Sequence, residues 1–135
     1  MAFDDLPPDW TDRPLSTPHL AGDVVDLLVK ESDRAQNTFA VLPCDENDIG
    51  YPTPVLIDQT DWLVDDEERR EMLTALAAIG LPAAVLAFSS SRRLPDGILD
   101  RWRADAETAF GAAGTRVIGV FTAWAHHVEP VPAPG

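Results

Sequence analysis

Apolar and polar positions along this chain follow three patterns, and each predicts one kind of element. Between Leu20 and Leu28 the pattern has a helical period. Leu20, Val24, Leu27 and Leu28 form one stripe, while Asp23, Asp26, Lys30 and Glu31 hold the other faces. Thr17 fits the N-cap and Pro18 the first helical position, where a missing N–H costs nothing. Thr38–Cys44 and Pro54–Asp58 are short runs of β-branched, aromatic and aliphatic residues. They flank the turn-forming segment Asp45-Glu46-Asn47-Asp48-Ile49-Gly50 and predict an antiparallel hairpin. Pro52 and Pro54 put the start of the return strand at an edge.

A second helical period follows Asp65, which fits an N-cap with Glu68 three residues on. Met72, Leu73, Leu76 and Ile79 supply its apolar face, and Gly80 and Pro82 end it. Ala83–Phe88 is apolar without alternation, as in a strand covered on both faces. After the loop Ser89-Ser90-Ser91-Arg92-Arg93, a third helix opens near Pro95–Asp96. Leu99, Trp102, Ala106, Ala109, Phe110 and Ala113 recur three and four apart along it. Thr115–Trp124 is the last predicted strand, centred on Val117, Ile118, Val120 and Phe121.

The order of elements implies an α/β fold. Three α-β-α layers are expected, with a mixed sheet made of an N-terminal antiparallel hairpin and a C-terminal right-handed parallel β-α-β unit. The chain then divides into a Pro-rich acidic arm (1–16), a single α/β domain (17–127) and a Pro-rich tail (128–135) that is extended or mobile. The arm's one large mid-segment apolar residue, Trp10, either packs on the domain or meets a partner.

Charge narrows the partners. Residues 1–70 hold 17 acidic and 5 basic side chains, net −12, and residues 71–135 hold 6 and 5, net −1. Such a surface repels phosphate backbones and anionic lipids, so neither nucleic acid nor membrane is expected. It serves solubility, or it meets a basic protein. The start of the chain lacks the basic and apolar regions of a signal peptide, and no apolar run reaches a bilayer span, so a cytoplasmic protein is expected. The single Cys44 forms no internal disulfide or cysteine zinc cage and is read as a buried thiol.

Candidate chemistry is sparse. A loop at the carboxyl end of an α/β strand is a common site. Ser89, Ser90, Ser91, Arg92 and Arg93 there could hold an anion through hydroxyls and guanidinium groups. The bland alternative is a polar loop capping the third helix, and phosphate-cradling glycines are absent. Asp45, Asn47 and Asp48 resemble the start of a calcium loop, but Leu56 stands where its twelfth-position glutamate belongs. The charged run Glu67–Glu71 is read as a solvated helix face. His19 lacks a second ligand close in sequence, and neighbours His126 and His127 point oppositely in a strand. No Gly-x-Ser-x-Gly elbow is present. No catalytic residue, metal ligand or cofactor is therefore assigned.

This layout resembles the RadC-like and JAB (JAMM/MPN) domains. In that family a helix leads into a hairpin with an Asp-x-x-Asn-type turn, and the parts that look alike here are Pro18–Asp33, Phe39–Asn47, the Asp65–Ile79 helix and the apolar strand Ala84-Val85-Leu86-Ala87. The family's His-x-His-Pro metal motif would follow that strand, with an Asp on the next helix. Here the strand ends in Phe88-Ser89-Ser90, with Asp96 and Asp100 near the expected acid. The resemblance implies a metal-free relative acting in binding or scaffolding.

Three functions follow as expectations: a non-catalytic protein-interaction or scaffolding domain, self-associating or with a basic partner; a small-anion or nucleotide-binding module; and a hydrolase-like enzyme at Ser89–Arg93. Trp10 and Trp62 are the expected protein contacts. Trp62 is chosen because it sits in the acidic Asp58–Asp66 loop.

Overall fold

The computed structural model describes residues 9–51 and 53–132. It shows the expected α/β fold. A five-stranded mixed sheet has the order β2-β1-β3-β4-β5. The strands are β1 (Phe39–Cys44), β2 (Val55–Ile57), β3 (Ala83–Ser89), β4 (Arg116–Trp124) and β5 (His127–Pro130). β1 pairs antiparallel with both β2 and β3, β3 pairs parallel with β4, and β4 pairs antiparallel with β5. The helices are α1 (Leu20–Leu28), α2 (Glu31–Ala35), α3 (Asp66–Ala77) and α4 (Asp96–Ala112).

Because strand side chains alternate in direction, β1 and β3 each feed two cores. Phe39, Val41, Leu86 and Phe88 face α3 and α4, where Leu73, Leu99, Trp102 and Phe110 complete one cluster. Ala40, Leu42, Val85 and Ala87 face α1, where Leu20, Val24, Val25 and Val29 complete the other. Every residue of β1 and β3 is buried, as a run without alternation requires. Gly22 of α1 and Gly119 of β4 let helix and sheet close on Phe121. A Cβ would come within 3.3 Å of its ring at Gly22 and 3.0 Å at Gly119. At Ala84/Val85 the parallel register slips by one residue, and β4 bulges at Ile118.

Several local expectations are corrected. α1 starts at Leu20 rather than Pro18. Pro14–His19 forms successive turns, and His19 takes a left-handed φ of 67° before the helix. This path lets Leu15 enter the α1 core and donate its N–H to the Asp48 carbonyl at 2.7 Å. Asp45 closes its own turn, as the turn-forming segment leads one to expect. Its carboxylate accepts the N–H groups of Asn47 and Ile49, while Asp48 pairs with Arg116. Ile79 lies beyond the end of α3 and is exposed, so it adds nothing to that helix's apolar face. Arg69 leaves the otherwise solvated α3 face. It is buried, and its Nε donates to Asp105 of α4 at 2.7 Å. The tail is not free at its start. Val128–Val131 turns back, β5 forms an edge strand, and Val131 is buried with its N–H on the Val120 carbonyl. Pro130 is tolerated because the outer side of an edge strand needs no donor.

A buried ion pair ties these parts together. Arg34 of α2 and Asp26 of α1 have side chains only 3% exposed and meet at 3.0 Å. Arg34 also donates to the carbonyls of Val29, Asp26 and Ala125, so one guanidinium fixes the end of α1 and the β4–β5 turn. That turn has two residues, Ala125 and His126, and Ala125 takes φ 47°.

Candidate functional site

The carboxyl end of β3 is where an α/β domain offers a crevice, and an open groove of about 720 Å³ lies there. Three segments build it. The α2–β1 connection brings Gln36 and Asn37. The segment after β2 brings Gln59, Thr60, Asp61, Trp62 and Leu63. The start of α4 adds Leu94, Pro95 and Ile98, and Ser90 adds a hydroxyl.

Backbone hydrogen bonds lock the first two walls together. Gln59 N–H donates to the Gln36 carbonyl at 2.7 Å, and Thr60 N–H to the Asn37 carbonyl at 3.0 Å. Asn37 and Gln59 both carry left-handed backbones, with φ of 55° and 54°. Non-glycine residues reach that region at a cost, and such residues gather at ligand clamps and active sites. Asn37 accepts the Ser90 hydroxyl through Oδ1 at 3.0 Å, so its side-chain NH₂ keeps its donors for other partners. The rest of the polar lining is uncharged amide and hydroxyl, apart from the carboxylate of Asp61. Asp61 holds the loop by accepting the Leu63 N–H at 2.9 Å. Leu63 is then 77% exposed on the rim.

Trp62 corrects the sequence-based expectation. It is not a surface contact but 6% exposed, at the base of the groove. Its indole N–H donates to the Ser89 carbonyl at 3.0 Å, and its own carbonyl accepts the Trp102 indole N–H at 3.0 Å. Its ring stands edge-on to Trp102 at 4.8 Å and to Phe88 at 5.5 Å. The acidic loop is thus anchored by its tryptophan, and the neighbouring leucine takes the exposed position. Trp10 lies in a short 3-10 turn, Trp10–Asp12, half-buried against the α1 core.

The Ser89–Arg93 loop divides. Ser89 is fully buried and donates its hydroxyl to the Thr38 carbonyl at 2.6 Å. Ser90 lines the groove, and Ser91 and Arg92 point to solvent. Arg93 meets Glu129 at 2.5 Å and Asp96 at 2.8 Å, and these two carboxylates hold its guanidinium above its ordinary range. The loop therefore does not gather its hydroxyls and guanidinium groups on one point. Two expected anion ligands are committed within the fold, and the adjacent groove presents a carboxylate.

Cys44 is buried, as read from sequence. Burial pushes its thiol up to about 12, with Asp48 and Asp45 adding to the shift, so it is not a nucleophile near neutral pH. No helix among the described residues is long and apolar enough to cross a membrane.

Sequence reasoning missed Gln36, Asn37 and Gln59, because isolated amides carry no motif. The one available hint was that turn-prone Asn37 precedes a strand. Compared with known protein families, with curated proteins and with solved structures, the chain matches none.

Proposed function

We propose that this chain is a non-catalytic, cytoplasmic protein-interaction domain whose groove receives a short cationic peptide segment carrying one apolar anchor. The observation that carries this reading is the groove's lining. Amide side chains both donate and accept, so Gln36, Asn37 and Gln59 suit the N–H and C=O groups of an extended backbone. Leu63, Leu94 and Ile98 suit one apolar side chain. Asp61 lines the groove and Asp58 and Asp65 stand on the same connection, with no basic residue among positions 58–65, which favours a positive partner. A second copy of this chain is the poorer occupant, since two surfaces of net −13 repel.

Among the described lining residues there is no His, Cys, Lys or Arg to act as base or nucleophile. A carboxylate on an open rim is a weak basis for catalysis. For the architecture as a whole, we propose a metal-free relative of the RadC-like and JAB domains.

Selection of short random peptides on the immobilised chain tests the function. Enriched sequences are expected to combine net positive charge with one large apolar residue. They should lose binding to Leu63→Glu and to Asp61→Lys. Absence of enrichment, or equal binding to both variants, overturns the proposal.

A further inference from the structure

The five-stranded sheet has two edges, β2 and β5, and their main-chain groups are disposed differently. On β5 the Val131 N–H donates to the Val120 carbonyl at 2.8 Å, so His127, Glu129 and Val131 turn their main-chain groups inward to β4. Val128 and Pro130 face out, and Pro130 has no donor to offer a further strand.

On β2 the outcome is opposite. The Pro43 carbonyl accepts the Tyr51 N–H at 2.9 Å, whereas the Thr38 carbonyl accepts the Ser89 N–H at 3.1 Å. Odd-numbered residues of β1 therefore turn their main-chain groups toward β2, and even-numbered ones toward β3. Phe39 and Val41 are the partners of Ile57 and Val55, so those two face inward. Leu56 between them turns its N–H and C=O away from the sheet, and Asp58 follows at the next outward position. Pro54, at the preceding outward position, has no N–H, so the open edge starts at Leu56. The Leu56 side chain, opposite Ala40, is 40% exposed.

We propose that this edge takes an extended basic segment of the groove's peptide partner as a sixth strand of the sheet. The proposal rests on the peptide reading of the groove and adds the mode of binding. β2 continues through Asp58 directly into Gln59, Thr60 and Asp61 of the groove lining, so a chain paired at Leu56 and Asp58 is led to the groove. Strand addition gains affinity from main-chain hydrogen bonds, and an apolar residue of the incoming strand covers Leu56. Charge supplies the selection. From Ala35 to Glu68, the stretch holding β1, β2 and their loops, the chain has nine acidic side chains and no Lys, Arg or His. Arg116 offsets Asp48 and Arg69 offsets Asp66, and the remaining excess is still negative. A basic strand is attracted along this edge, while a second copy of the chain meets its own charge.

The probe is acetyl-Lys-Val-Lys-Val-Lys-Gly-Leu-Lys-amide, an alternating basic strand joined to one apolar anchor. It is added to the full-length ¹⁵N-labelled chain, and amide exchange is followed residue by residue. The outward amides of Leu56 and Asp58 should exchange fast in the free chain and slow by about tenfold or more on saturation. Leu56→Pro removes the outward donor at a position an edge strand tolerates, so the fold should persist while binding weakens about tenfold. Leu56→Thr keeps that donor and should weaken binding less. N-methylation of the probe's two valines, set against N-methylation of its second and third lysines, repeats the test from the peptide side. One set faces β2 and the other faces water, so one set alone should abolish the protection of Leu56. Binding that leaves Leu56 exchange unchanged, equal effects of the two methylated sets, or a dimer of the chain that Leu56→Pro dissolves overturns the proposal. Shifts at the groove without protection of Leu56 do so while leaving the groove reading intact. Protection of Leu56 that persists in Leu63→Glu supports the edge and counts against the groove alone.

Discussion

Replacing Trp62 with alanine separates a tryptophan that holds the groove together from one that merely decorates an acidic loop. The side chain is 6% exposed and packs edge-on against Trp102 and Phe88. Removing a buried aromatic of this size costs about 3–5 kcal/mol in lost transfer energy and residual void. The change also removes the indole N–H from the Ser89 carbonyl, in a residue that is fully buried. An orphaned buried acceptor adds about 1–3 kcal/mol. The two losses share one collapsing site and do not add in full, so a total of about 4–6 kcal/mol is expected. The Trp102 indole bond is not lost directly, because its acceptor is the backbone carbonyl of residue 62. Against a typical domain stability of about 5–15 kcal/mol, Trp62→Ala leaves a marginal protein. Trp62→Phe keeps most of the packing, and its effect should lie near the hydrogen-bond share alone. Urea unfolding followed by far-UV circular dichroism reads both variants without relying on tryptophan emission. A loss below about 1 kcal/mol for Trp62→Ala, with unchanged urea dependence, would place the side chain at the surface and refute the account of the groove's base.

Other expectations follow from the two cores. Arg34→Met removes the buried cation that pairs with Asp26 and the donors to four carbonyls, so it should cost about 3–5 kcal/mol by urea unfolding. Adding Asp26→Leu should recover part of that loss, and a double variant worse than the single would contradict the pairing. Phe110→Ala, in the α4 face of the core, should lower stability by about 3–5 kcal/mol, and calorimetry showing an unchanged Tm would remove it from the core. Cys44 should resist a thiol reagent at neutral pH until the chain unfolds. Its thiol is raised from 9.0 to about 12 by folding, so the unfolded chain releases that proton first. Stability should therefore fall between pH 9 and about 12 more in the native chain than in Cys44→Ala, and parallel curves would contradict it.

Elements with one dominant local cause were legible in the sequence. α4 has an apolar period sustained from Leu99 to Phe110, and β3 a run with no polar interruption. The start of α3 is fixed by Asp65, whose carboxylate accepts the Glu68 N–H at 2.8 Å. What escaped depends on partners far along the chain. Arg34 carries no local signal, because one of its acceptors, the Ala125 carbonyl, lies 91 residues away. Trp62 sits in a segment whose carboxylates argue for solvent, and only Ser89 and Trp102 explain its burial. Val128–Val131 looked like a tail because prolines punctuate it, whereas an edge strand needs donors on one side alone. A groove lies at the end of β3, where the sequence pointed, and of the Ser89–Arg93 run Ser90 lines it. The serine and arginine run was conspicuous in sequence, while the amides that line the groove come from two other loops.

The central claim is that the groove between Asn37, Gln59 and Ile98 is a peptide-binding surface. The most direct test is a ¹⁵N chemical-shift titration of the chain with a selected cationic peptide. Saturable shifts should cluster at Gln36, Asn37, Gln59, Leu63, Ser90 and Ile98, and vanish in Leu63→Glu. Saturable shifts centred on another surface, or a Leu63→Glu chain that responds like the native one, would contradict the claim.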